Sequence, residues 1–191
     1  SDVCSSDLVE FAAATNSWKL TREAEGGEWK LADAKPGEQL DPAKLSAFAN
    51  PLASPSFNDV APTDAKPADT GMDQPTIIKI ETFDGFNYTL KIGKKSGDDA
   101  LYLNAAVNAQ FPKERLPGKD EKPEDKAKLD QDFKTVQTKL AEKLAAEHRY
   151  EKFTYLVSKW TVESLLKERP QLLVDKKESD KKPGTDNPAA K

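Results

Sequence analysis

The chain has 191 residues, enough for one domain or two small ones with a real core. Leu (18), Val (8), Phe (8) and Ile (4) make up about one fifth of it, at the border below which chains stay disordered, but a net charge of -4 is too small for the self-repulsion that accompanies wholesale disorder. No apolar run approaches the ~20 residues that cross a bilayer, so the composition predicts a modest core with disordered edges and excludes a spanning helix within these residues.

Ser1-Asp2-Val3-Cys4-Ser5-Ser6-Asp7-Leu8 lacks periodicity, a basic n-region and an apolar h-region, so it is not a signal peptide. It reads like a translated sequencing adapter, and residues 1–8 are expected to be a non-native leader that replaces the true N-terminus. Cys4, the only cysteine, lies inside it, so cysteine usage does not decide the redox compartment.

Two hairpins follow from alternation. In the first, Trp18 and Leu20 lead to Trp29 and Leu31 across Gly26-Gly27. Pairing 20 with 29 and 18 with 31 places all four large side chains on one face. Asp41-Pro42 then starts a helix, an N-cap followed by a residue already at helical φ. Leu45, Phe48 and Leu52 give its apolar spacing, and Pro51 and Pro55 stop it near Asn50. Residues 54–75 form a proline-rich connector that allows a short strand at Phe57 to Val60.

In the second hairpin, Ile78, Ile80 and Thr82 share a face of one strand, and Phe86, Tyr88, Leu90 and Ile92 share a face of the next. A two-residue loop at Asp84-Gly85 would send the two rows to opposite faces. A three-residue loop, Phe83-Asp84-Gly85, with Gly85 left-handed, pairs 80 with 88 and 78 with 90 and keeps one core. A third strand is expected over Leu101 to Val107, after a turn at Gly93 to Asp99.

The strongest helix is predicted over Glu124 to Arg149. Leu129, Phe133, Val136, Leu140 and Leu144 fall in one stripe, so one side is expected to be buried. Phe153, Tyr155 and Val157 alternate as a strand. Thr161 caps a final short helix with Val162, Leu165 and Leu166 inward, ended by Pro170. Residues 175–191 carry five lysines, four acids and no large apolar group, the composition of a disordered tail. The order is ββα, the connector, then βββαβα, which predicts an α+β fold: an antiparallel sheet of hairpins with helices on one face. The two hairpin-led segments hint at a loose internal duplication.

Chemical motifs are thin. Gly93-Lys94-Lys95-Ser96 resembles the end of a phosphate loop, but position 88 is Tyr88 where the pattern needs glycine, so a lysine-rich turn is expected. Asp130-Gln131-Asp132 opens like a calcium loop and runs into a helical stripe instead. His148, the only histidine, sits near a helix C-terminus and is read as a helix-end residue rather than a catalyst. Asp98-Asp99 and Glu121 with Glu124 are acid pairs of the kind chance produces among 33 acids. Trp18 and Trp29 are read as a packing pair, with an exposed ligand platform as the alternative. Trp160 is expected to plug the core's edge. Asn87-Tyr88-Thr89 matches a glycosylation sequon but lies in a predicted strand. No catalytic, cofactor-binding or metal-binding residue is assigned, and no basic stripe supports nucleic-acid binding.

Three segments resemble the bacterial family catalogued as domain of unknown function 4340. They are Trp18-Lys19-Leu20 with Glu28-Trp29-Lys30-Leu31 and the helix of Leu45 and Phe48; Phe57-Asn58-Asp59-Val60 with Gly71-Met72-Asp73-Gln74-Pro75, Ile78-Lys79-Ile80, Asp84-Gly85 and Tyr88-Thr89-Leu90-Lys91-Ile92-Gly93; and Trp160-Thr161-Val162 with Leu165-Leu166 and Arg169. Members typically carry an N-terminal membrane-spanning helix, project outside the cytoplasmic membrane, and in some cases lie in gene clusters with ABC-type transporters of the gliding-motility kind. The resemblance implies one α+β domain over residues 9–174, a periplasmic location through an anchor this chain lacks, and envelope or ABC-type transporter proteins as partners. It transfers no activity, cofactor or active-site residue. The expected function is therefore a non-enzymatic extracytoplasmic auxiliary or scaffold. A carboxylate-based hydrolase or carbohydrate-active enzyme, and a soluble module binding ligands through Trp18 or Trp29, are the alternatives.

Overall fold

The computed structural model describes residues 4–10, 14–45, 57–118 and 121–174. Its strands are β1 (Cys4–Glu10), β2 (Trp18–Thr21), β3 (Lys30–Leu31), β4 (Phe57–Val60), β5 (Thr76–Thr82), β6 (Phe86–Ser96), β7 (Ala100–Ala109) and β8 (Tyr155–Ser158). The helices are α1 (Pro42–Leu45), α2 (Pro67–Thr70), α3 (Lys126–Glu147) and α4 (Lys159–Val162). All eight strands form one antiparallel sheet in the order β3-β2-β1-β5-β6-β7-β8-β4. The fold is α+β. Two meanders, β1-β2-β3 and β5-β6-β7, run outward in opposite directions from the β1–β5 junction.

The second hairpin has the register that a common apolar face demands. Ile78 pairs with Leu90 and Ile80 with Tyr88, and Gly85 closes the turn at φ 89°. These rows continue into β7 and β8: Leu90 opposes Ala105, Tyr88 opposes Val107, and Leu103 lies between Ile92 and Tyr155. Ile78, Ile80, Phe86 and Val157 are fully buried, whereas Lys79, Glu81 and Lys91 on the opposite face are exposed. One face carries the core and the other meets solvent. Leu45, Val162, Leu165 and Leu172 join the core cluster, with Leu140 and Leu144 packed against it.

Several expectations shift. The opening stretch, expected to lie outside the domain, supplies β1, whose backbone pairs with β2 on one side and β5 on the other. In the first hairpin Leu20 opposes Leu31, not Trp29, and Thr21 opposes Lys30. The loop is longer than a tight turn because Ala24 accepts from the Gly27 N–H at 2.9 Å and Arg22 stacks on the Trp29 ring, its guanidinium 4.5 Å from the centroid. A slip of two residues preserves facing, so Trp29 and Leu31 still pack against the core. The Asp41 carboxylate does cap α1, accepting from the Ala43 N–H at 3.0 Å. Phe48, Asn50, Leu52 and the helix end expected there lie outside the described residues, as does the tail at 175–191.

The connector carries β4, at one outer edge of the sheet, and α2. The lysine-rich stretch expected as a turn is strand through Ser96, with an irregularity between Ile92 and Lys95, so the reversal shrinks to residues 97–99. Gly93 is needed because the Thr70 carbonyl of α2 occupies the space a Cβ would fill.

Helix α3 departs most from expectation. None of its residues is buried, and Leu129 and Val136 are 38% and 53% exposed. Only the C-terminal half docks, through Leu140 and Leu144. Polar contacts hold the rest of the helix: Arg115 bonds Glu121 and Asp130, and Gln137, near the middle of α3, donates to the Pro112 carbonyl at 2.5 Å. At the chain's far end, α4 begins at Lys159, whose N–H bonds the Asp99 carbonyl at 2.8 Å, rather than at Thr161. Trp160 and Val162 are then ~200° apart on the helix. Val162 enters the core and Trp160 is 72% exposed, not a plug.

Candidate functional site

Where the sequence offered chemistry, the structure has built supports. The Trp18 ring is buried, and its indole N–H donates to the Lys167 carbonyl at 2.7 Å. This bond anchors the stretch after α4 across the sheet, and the next turn brings in Arg169. Its guanidinium is buried and reaches Glu38 at 2.7 Å and Asp33 at 2.9 Å, with the Asp33 carbonyl accepting at 2.9 Å. The hydrogen bonds from Arg169, and then the Lys35 N–H, hold the Glu38 carboxyl down to about 2. A planar fork meeting two carboxylates and a carbonyl is geometry that arginine supplies and lysine does not. Sequence reasoning met Arg169 only as part of a resemblance. Its separation from Asp33 and Glu38 by more than 130 residues hid the role.

The acids expected to arise by chance are likewise engaged or open. Glu121 grips Arg115 and does not pair with Glu124, whose nearest cation is Lys122 at 3.9 Å. The Arg115 bonds hold Glu121 below the usual carboxylate range. Asp98 and Asp99 lie exposed in the β6–β7 turn. His148 caps the end of α3, half exposed, its Nδ1 3.0 Å from Glu151. Glu151 in turn accepts the Val107 N–H at 2.8 Å, which lowers its carboxyl first, with His148 adding to it. This pair ties the turn after α3 to β7. Asp130 and Asp132 lie within α3, and no group of three or more potential metal-ligating side chains occurs among the described residues. Asn87 is in β6 beside the buried Tyr88.

What remains open is a groove of about 690 Å³ between β3 and α1. Trp29, Leu31, Leu40, Pro42 and Leu45 supply its apolar lining, and Arg22, Glu28, Lys30, Glu38 and Gln39 line it as well. Arg22 lies buried behind Trp29 and fixes the ring's position from one face. Below Leu40 the chain is pinned, because Leu40 bridges Leu173 and the Val174 N–H bonds the Gln39 carbonyl at 2.9 Å. The groove is thus a trough beside an outer strand, anchored at its Leu40 end. Alternation in the sequence marks Trp29, whereas the arrival of α1 opposite it leaves no trace in residue spacing because the two lie on separate elements.

No family model, no curated protein and no solved structure matches the chain.

Proposed function

We propose that this chain is a non-enzymatic extracytoplasmic domain that serves as an auxiliary or scaffold of a membrane transport complex, and that the trough beside β3 is the surface it presents. The observation that carries the reading is the division of labour around that trough. Arg169, Glu38 and Asp33 are locked to one another as a staple, with Glu38 also reaching the trough's lining, while Trp29, Leu31, Leu40, Pro42 and Leu45 give the trough an apolar floor next to a strand edge. Such a surface holds a partner through shape and backbone contacts. The location and partner class come from the resemblance in Trp18-Lys19-Leu20, Phe57-Asn58-Asp59-Val60, Ile78-Lys79-Ile80 and Trp160-Thr161-Val162. Affinity purification from solubilised envelopes of the native host should recover a transporter subunit with the domain. Recovery alone, at native expression, would sink the proposal. A small-ligand module is the second reading, favoured by the Trp29 ring lining the trough. A Trp29 emission change on adding glycans or lipids, absent with peptides, would prefer it.

A further inference from the structure

The trough's occupant can be named from the backbone that borders it. β3 is the outermost strand at its end of the sheet. Its inner bonds are assigned: the Ala32 N–H reaches the Lys19 carbonyl at 2.9 Å, while Lys30 opposes Thr21 and Leu31 opposes Leu20. In an antiparallel ladder, bonded and non-bonded pairs alternate, so with residues 30 and 32 bonding inward the N–H and C=O of Leu31 point to the outer edge. Among the described residues nothing bonds that edge, nor the backbone of Trp29 before it. An unpaired strand edge alongside an apolar trough is the combination that accepts an added strand. Side chains at alternate positions of such a strand would fall on the same side as Leu31 and land over Leu40 and Leu45.

The opposite outer strand lacks these features. In β4 the Asp59 carboxylate accepts the Val60 N–H at 2.8 Å, and the register breaks between Phe57 and Asp59. Charge selects further. Glu23 is neutralised by Lys30 at 2.7 Å and Glu38 by Arg169, but Glu25, exposed in the loop leading into the trough, makes no ion pair among the described residues, and the exposed Glu28 reaches Lys30 only through a longer-range field that the Glu23 contact outweighs. Residues 1–75 as a whole hold 13 acids against 6 bases.

We infer that the β3 edge and its trough bind an extended segment of a partner protein, apolar at alternate positions and flanked by lysine or arginine, which joins the sheet as a further strand. This rests on the interaction-domain reading and names the partner's chemistry. The probe is a short synthetic peptide of alternating valine and threonine with a lysine at each end, titrated into the full chain and followed by calorimetry and by amide hydrogen exchange. Binding should slow exchange at Leu31, and methylating the peptide's amide nitrogens should weaken binding about tenfold or more, as loss of ladder bonds requires. Replacing the flanking lysines with glutamates should weaken it severalfold, and E25Q/E28Q should erase that difference. Equal binding by the methylated peptide, tighter binding by the acidic one, or no binding overturns the inference. The two readings fail separately. A transporter subunit that co-purifies and is not displaced by the peptide removes this inference alone. A peptide that binds as described, with no envelope partner recovered, removes the transport role alone.

Discussion

Gly85 and Arg169 show how single positions decide the fold. Gly85 sits at φ 89°, and a Cβ there would lie 2.5 Å from the Gln110 carbonyl oxygen. Both the backbone region and the space exclude a side chain. G85A should therefore lose about 2 kcal/mol or more in urea unfolding, while G37A, also at positive φ but with open space around it, should lose only about 1 kcal/mol. Arg169 acts at long range. Removing it leaves the largely buried Glu38 carboxylate without its cation, while Asp33, 63% exposed, stays in water, so R169M should lose about 2 kcal/mol at neutral pH, and R169K should recover only part of that. Because Glu38 ionises at about 2 in the folded chain against an ordinary 4.5, its contribution is complete above the ordinary value and disappears as pH falls toward 2. Stability of the wild type measured down this range should fall more steeply than that of R169M. Parallel curves would show that the pairing does not drive the acid sensitivity.

Elements follow their sequence patterns where both periodicity and a partner surface exist. The β5–β6 hairpin could be read to the residue because two apolar rows and one Asp-Gly turn admit a single register with a common face. The first hairpin slipped by two residues because alternation fixes facing but not the length of the loop from Arg22 to Trp29. The trough was hidden for a related reason: its walls come from separate elements, brought together by the Leu40–Leu173 bridge. In α3 the periodic stripe is present, yet burial also needs something to pack on, and of the stripe only Leu140 and Leu144 pack against the core. Leu144 and Leu129 belong to the same pattern and should behave differently. L144A should cost about 2 kcal/mol by thermal melting and L129A less than about 0.5 kcal/mol. Equal costs would mean that the N-terminal half of α3 is seated in solution.

For the whole molecule, strand order predicts the order in which the structure opens. β5, β6 and β7 are flanked on both sides and carry the fully buried Ile78, Ile80 and Phe86, whereas β3 and β4 are short outer strands. Native-state hydrogen exchange followed by mass spectrometry should find β3 and β4 exchanging through local opening and β6 only through global unfolding. Uniform protection across all eight strands would contradict this.

The anchoring of Lys167 and Arg169 onto Trp18, Asp33 and Glu38 bears on how the protein is made. β2 and β3 cannot be sealed until Lys167 and Arg169, which follow their partners by more than 130 residues, have left the ribosome. Until then β2 and β3 offer bare apolar surface to whatever is nearby, and closure depends on distant contacts that form slowly. Nascent chains halted before Arg169 should therefore engage chaperones, and release should coincide with its emergence.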